Sequence, residues 1–532
     1  MKSDIAVMQD WMRFHSGTSP SASAYLRLCN RVLKIILPSD LRADCGSAER
    51  AIQLACILTA YFEDVISETG LFRTFTERHG ELYGKALPFY DTGQEYYPDE
   101  INLYDLYFLA WHALSRWGKE DGIGIFDPFF RDGNHTEAIR EIYDLFDSEF
   151  ENTPQNEHMQ QYLRLSPGAG AGDIRERLDF LSGKCYLHFI EHAAFTDSLA
   201  ERAEQRIGEA GEANFAESVR EQEMVFYDLS VNYLFNHHFS LLAQRASDEL
   251  AHLTGREHPL YPLLKSLSAR KTGNFLFREK KETEYIVEHI SSGTRINMSK
   301  EFFTLDSEQI IPDHTCVAMG VVKWGDVWQQ MGSAFLFDYS QKRETDPAGA
   351  SAFDDLEKKK LLVRETEADF LQITHGRRIA FLKNAEELCD LYNRFLNIRF
   401  PKAEEVEKTK QMKAELLTDI RRTMKGKDGP VVFFINPETG VEYYFGDIIA
   451  AIADPDNAYY IPGKEYVLEI LFFDSGVSRE FVNYLIENSL VAFIDSEAPG
   501  MEVSVMQDNR DFLLRYYRQQ NYWPEARISR KK

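Results

Sequence analysis

Residues 56–114 read CILTAYFEDVISETGLFRTFTERHGELYGKALPFYDTGQEYYPDEINLYDLYFLAWHAL, the densest mixture of aromatic, carboxylate and glycine residues in the chain. Upstream and into it, residues 51–67 carry Ile52, Ala55, Cys56, Thr59, Phe62 and Ile66 at helical spacing, with Ser47 as N-cap and Gly70 as stop. At its end, Asn102 and Asp105 form a capping arrangement for a helix through Trp117 that buries Leu106, Trp111 and Leu114. Two amphipathic helices therefore flank an ordered aromatic loop. Glu63 and Asp64 admit two readings: partly buried acids with shifted pKa values, or the polar face of a helix. Adjacent residues point to different faces, which favours the polar face. Spacing leaves open whether these two acids meet Asp99 and Glu100 of the following turn. His112, alone beside Trp111, reads as structural.

Several stretches resemble, in order, a family of uncharacterised gut-bacterial proteins catalogued only as a domain of unknown function. They are Tyr61-Phe62-Glu63-Asp64, Leu82-Tyr83-Gly84-Lys85, Leu87-Pro88-Phe89-Tyr90 and Tyr97-Pro98-Asp99-Glu100-Ile101-Asn102. Asp454-Pro455-Asp456-Asn457 and Asp508-Asn509-Arg510-Asp511-Phe512-Leu513-Leu514 extend the likeness over most of the chain. The resemblance implies no activity, cofactor or catalytic residue.

The chain has 532 residues, 44% hydrophobic and 13% aromatic, enough for several packed cores. Net charge is −25, and residues 1–266 hold 24 basic against 42 acidic residues, a net of −18. That half repels nucleic acid as a whole. Cysteines 29, 45, 56, 185, 316 and 389 make no CxxC pair and read as buried thiols. The first residues lack the apolar core of a signal peptide, and no apolar run approaches ~18 residues. A cytoplasmic protein with no membrane segment is expected.

The fold class that follows is multidomain and predominantly α with α+β parts. Residues 1–266 read as an acidic all-helical domain, with single helices over 173–196 and 217–253 among others. The hydrophobic period changes to two near Gly273. Strands over 274–278, 285–290, 294–298, 315–324 and 327–337 suggest a small SH3-like β-barrel or meander at 267–342. Gly325-Asp326 is the hairpin loop, and Trp324 and Trp328 beside it read as buried. Residues 343–428 are linker and helices. Residues 429–526 form an α+β domain with a hairpin across 436–440 and a further strand over 466–473. Residues 527–532 are a basic tail.

His188-Phe189-Ile190-Glu191-His192 matches HxxEH, the inverted zinc-peptidase signature. On one helix, His188 and His192 would share a face and bind zinc while Glu191 activates its water. That family places a third ligand, a glutamate, roughly 75 residues downstream, and positions 264–271 hold no acid. Glu249 and Glu257 both come early. A di-iron bundle needs two Glu-x-x-His motifs, and Glu249–His252 is one. Gly168-Ala-Gly-Ala-Gly172 has Asp173 where the third glycine of a dinucleotide fingerprint belongs, and reads as a linker. Asp454–Asn457 lacks the glycine of an EF-hand and reads as a turn. The leading expectation is thus an interaction or scaffold protein with no cofactor and another protein as partner. The alternatives are a metal-dependent hydrolase on His188, Glu191 and His192 with zinc, and a nucleic-acid-associated protein using the barrel, Arg377-Arg378 and the tail.

Overall fold

The computed structural model describes residues 5–93, 96–118, 127–131, 133–208, 215–305, 307–338, 356–400, 407–425, 429–464, 471, 476–491 and 503–522. It divides into two compact units. The first holds residues 1–353 with 497–512, the second residues 354–496 with 513–532. The expected linker at 343–355, the strand at 466–473 and the basic tail fall outside or almost wholly outside the described residues.

Among the described residues, fourteen helices of the first unit precede its sheet. They are α1 (Met8–Met12), α2 (Ala22–Ile36), α3 (Asp40–Asp44), α4 (Ala48–Ile66), α5 (Leu71–Tyr83), α6 (Leu103–Gly118), α7 (His135–Glu149), α8 (Glu157–Leu163), α9 (Ala171–Gly183), α10 (Phe189–Asp197), α11 (Leu199–Gly208), α12 (Phe215–Asn236), α13 (Ala246–Thr254) and α14 (Tyr261–Ser266). Ser47 caps α4 by accepting from the Arg50 N–H, as its position predicts. Helix α4 is buried almost all round, with Leu54, Ile57, Leu58, Tyr61 and Phe62 inaccessible. A helix apolar on every face belongs at the centre of a bundle. It packs against α2 and α6, and Phe62 stacks on Phe146 of α7 at 4.7 Å. Among the described residues, no helix is long and apolar enough to cross a membrane.

Two expected helices are each broken. Residues 173–196 divide at Lys184–His188, where the Cys185 N–H bonds back to Phe180 O and Lys184 Nζ donates to His15 O. Residues 217–253 divide between α12 and α13. There Leu242 and Ala243 adopt positive φ, Ser240 N–H donates to Glu191, and Asn236 exchanges two hydrogen bonds with the Arg270 backbone. At the second break a distant carboxylate, Glu191, takes the Ser240 backbone N–H that a continuous helix would have used, which hydrophobic period alone does not reveal.

Strands β1 (Lys271–Lys280), β2 (Glu284–His289), β3 (Arg295–Ser299), β4 (Thr315–Trp324) and β5 (Val327–Asp338) close into a barrel in the order β1-β2-β3-β5-β4. All neighbours are antiparallel except β3 and β5, which meet in parallel at Met298 and Trp328. Trp324 pairs with Val327 across Gly325-Asp326, the loop the sequence marks. Trp324 is buried, while Trp328 is half-buried against the barrel core, with Lys271 Nζ 5.8 Å from its ring. Arg270 fastens the barrel to α12. It is 4% exposed, pairs with Asp228, and donates from Nε to Met331 O at 2.8 Å.

Glycine at 332 is what admits that guanidinium. Its φ is +99°, and a Cβ there would lie 2.6 Å from an Arg270 nitrogen and 2.7 Å from Asp228 Oδ1. Gly332→Ala combines left-handed strain with overpacking, and the expected loss is about 2–3 kcal/mol. Urea unfolding compared with Lys323→Ala, an exposed change expected to stay within about 0.5 kcal/mol, checks it.

The second unit contains α15 (Leu356–Ile373), β6 (Ile379–Leu382), α16 (Ala385–Arg399), α17 (Glu407–Met424), β7 (Val431–Asn436), β8 (Gly440–Phe445), α18 (Asp447–Ala450) and α19 (Arg479–Glu487). Its sheet runs β6-β7-β8, all antiparallel, and α15 to α17 pack on one face through Phe370, Leu388, Phe395 and Phe433. Asn436 closes the β7–β8 loop by accepting from the Glu438 and Thr439 N–H groups. Helices α20 (Val503–Asp508) and α21 (Arg510–Tyr517) end the described chain, apart from a short 3-10 turn. The chain is multidomain, helix-rich and α plus β.

Candidate functional site

The acids of the hub do not converge. Asp99 is exposed and pairs with Arg73, and Glu100 is exposed. Glu63 and Asp64 are both buried, at 5% and 4% exposure, so the polar-face expectation is corrected. Both acids are drawn inward because their partners lie inside the bundle. Glu63 Oε2 meets His15 Nε2 at 2.5 Å, and its Oε1 accepts from Asn156 Nδ2 at 2.8 Å. Burial would lower His15, but Glu63 beside it more than offsets this and holds the imidazole above its ordinary value. Asp64 accepts from the N–H groups of Leu71 (3.0 Å) and Phe72 (2.7 Å), from Tyr186 OH (2.8 Å) and from Thr69. Helix α5 begins after Gly70, which has no side chain to cap it, and Asp64 supplies the missing acceptor from α4. Burial pushes its carboxyl up despite those four donors.

Asp105, on α6, accepts from Tyr61 OH (2.6 Å), Tyr96 OH (2.9 Å) and Asn102 Nδ2 (3.2 Å). Full burial pushes its carboxyl up to about 7. His112 is buried and bonds to Leu187 O at 3.0 Å. A shallow cleft of about 200 Å³ beside α5 is lined by Thr76, Gly80, Lys85 and Tyr96. Its lysine donates to Asn509 Oδ1 at 2.9 Å.

Residues 508–512 belong to the same hub. Asn509 Oδ1 also accepts from the Phe89 N–H, Tyr83 OH donates to Asp511, and the Phe512 ring lies 5.6–6.3 Å from His79, Phe89, Phe108 and Trp111. Residues 509–512 of one stretch that resembled the family therefore touch two others, 82–85 and 87–90.

The HxxEH residues separate. The break at Lys184–His188 leaves His188 as the N-cap of α10, not on a helical turn of its own. Its ring stacks on Phe239 at 3.8 Å, and Nε2 lies 2.6 Å from Glu249 Oε2. His192 turns towards Gly183 and Tyr233. Glu191 is held by the Ser240 N–H (2.9 Å) and hydroxyl, by His237 Nε2 (3.1 Å) and by Arg116 (3.8 Å). Burial alone would raise Glu191, but Arg116, His237 and Ser240 together hold it well below the usual carboxylate range. A carboxylate so engaged is an anchor between α10 and the 237–240 turn.

Among the described residues, the side chains whose donor atoms gather are Cys185, His188 and Glu249, all within 4.8 Å of one another. Sequence reasoning set Glu249 aside because it falls short of the peptidase spacing, and did not weigh Cys185 as a ligand. The signal was Cys185-Tyr186-Leu187-His188, two metal-ligating residue types three apart across a helix break. Glu249 stands in the first turn of α13 and is brought to His188 because the 237–245 turn reverses the chain.

No curated protein and no solved structure matches the chain. Residues 7–268, the helical part of the chain, match the model of a family described as a protein of unknown function (DUF3843).

Proposed function

We propose that the chain is an intracellular interaction protein, a scaffold that presents its modules to another polypeptide. The observation that carries this reading is the use made of the buried acids. Glu63, Asp64, Asp105 and Glu191 each join separate segments of the helical unit, and Glu191, the base a hydrolase reading requires, is enclosed by Ser240, His237 and Arg116. The chemistry that looked catalytic in the sequence is spent on rigidity. The five-stranded closed barrel, which we take to be of the SH3-like kind, and the second unit then offer surface. Ile311 and Phe335 on the barrel, and Leu361 and Leu362 on α15, are at least half exposed.

Nucleic acid fits less well. Arg377 is engaged by Asp454 and Asp456, Arg378 by Glu367, and the net charge is −25. Cytoplasmic residence is part of the proposal, and six buried cysteines held as thiols suit a reducing compartment. Native mass spectrometry of the protein isolated gently from its own cells tests it. The expected result is a second polypeptide at fixed stoichiometry. A bare chain that hydrolyses peptide or ester substrates, and loses that turnover in Glu191→Gln, overturns it.

A further inference from the structure

We propose that Cys185, His188 and Glu249 together bind one zinc ion, or a divalent transition ion of similar softness, as a staple between the α9–α10 junction and α13. The three come from two distant stretches and are brought together by folding, with one donor atom from each inside a 4.8 Å sphere of mutual distances. A tetrahedral zinc with bonds of roughly 2.0–2.3 Å spaces its donors roughly 3.3–3.8 Å apart. Shifts of about an ångström, opening the 2.6 Å His188–Glu249 pair and closing the wider separations, reach that spacing. Glu249 can supply them, since its side chain is 12% exposed and begins a helix, whereas His188 is held against Phe239.

The donor set fits the ion. Thiolate and imidazole select zinc, cobalt or iron over magnesium and calcium, which prefer oxygen alone. One thiolate and one carboxylate balance a divalent charge within a site whose cysteine is wholly buried. Loading releases the thiol proton, so affinity rises with pH. Among the described residues, His188 Nδ1 is buried with no hydrogen-bond partner. A buried ring nitrogen without a partner is costly, and a histidine serving only to pack would normally satisfy it. Three protein donors leave a fourth position for water or a small ligand.

A thiol, an imidazole and a carboxylate can also make a nucleophilic triad. Burial argues for the metal, because Cys185 is wholly inaccessible and so closed to an incoming substrate. This site keeps His188 of the HxxEH motif and replaces its two other members.

Cobalt titration of the purified full-length chain tests the proposal. The expected result is one equivalent bound, with a thiolate-to-cobalt charge-transfer band and visible bands of tetrahedral intensity, all displaced by zinc. Cys185→Ser removes the charge-transfer band, and Glu249→Gln weakens binding by more than ~100-fold, beyond the usual effect of outer-shell changes. His192→Ala leaves affinity within about twofold, since its ring lies outside the donor cluster. If Cys185→Ser does not fold, the wild-type spectrum and the His192→Ala titration still decide. No charge-transfer band in the wild type overturns the site, as does a band lost in a folded His192→Ala protein. Fast alkylation of native Cys185 with no cobalt spectrum also overturns it, in favour of a nucleophile.

Discussion

Asp105→Asn is expected to remove its own share, about 4 kcal/mol, of a loss of stability between about pH 4 and pH 8. An unfolded aspartate titrates near 3.9, whereas burial raises Asp105 to about 7 in the folded protein. Between those values the folded state binds the extra proton, so stability falls as pH rises. The contribution is fully present below about pH 4 and is lost as pH passes through about 7, and three units correspond to about 4 kcal/mol. Tyr61 and Tyr96 both donate to the carboxylate, and with asparagine in place one hydroxyl rotates to accept instead. Urea midpoints of wild type and variant at a series of pH values measure the difference. Parallel pH profiles would show that Asp105 does not titrate in this window.

Asp64→Ala is the most damaging single truncation expected in the hub, at about 4 kcal/mol. It strands two backbone N–H groups at the start of α5 and the hydroxyl of Tyr186, all buried. A lost cap costs about 1 kcal/mol and each further buried orphan about 1–3 kcal/mol. Relief from desolvating the carboxylate offsets part of this. Asp99→Ala is the control: Asp99 is exposed and its ion pair with Arg73 is worth under about 1 kcal/mol. Equal effects from the two variants would overturn the capping role, and circular dichroism shows whether α5 frays.

What was legible in the sequence is what local pattern controls. Strand β4 matches residues 315–324, and the ends of α4 lie within one residue of expectation, because alternation and a serine cap are written in neighbouring residues. Strand β6 was missed: four residues between Arg378 and Lys383 are too short to display a period. The helix breaks at Lys184–His188 and after Asn236 were missed because the contacts that accompany them, with His15, Glu191 and Arg270, come from elsewhere in the sequence. The same breaks hid the candidate site. A continuous helix would put His188 and His192 on one face, and the break sends His188 to Cys185 and Glu249. Glu63 and Asp64 failed for a related reason: helical spacing counts faces, but α4 has no outward face to give them.

The return of residues 503–512 to the first unit sets an order on biosynthesis. A ribosome releases α4, α5 and α6 early, but the ring that covers Trp111 and Phe108 is Phe512, with all of residues 354–496 made in between. The nascent protein therefore carries an aromatic surface open to solvent until residues 503–512 emerge. Asn509 then seals it with bonds to Lys85 and the Phe89 N–H. Translation that stops short leaves a molecule with a complete set of early helices and an exposed aromatic face, which is the feature by which chaperones and proteases tell unfinished chains from finished ones.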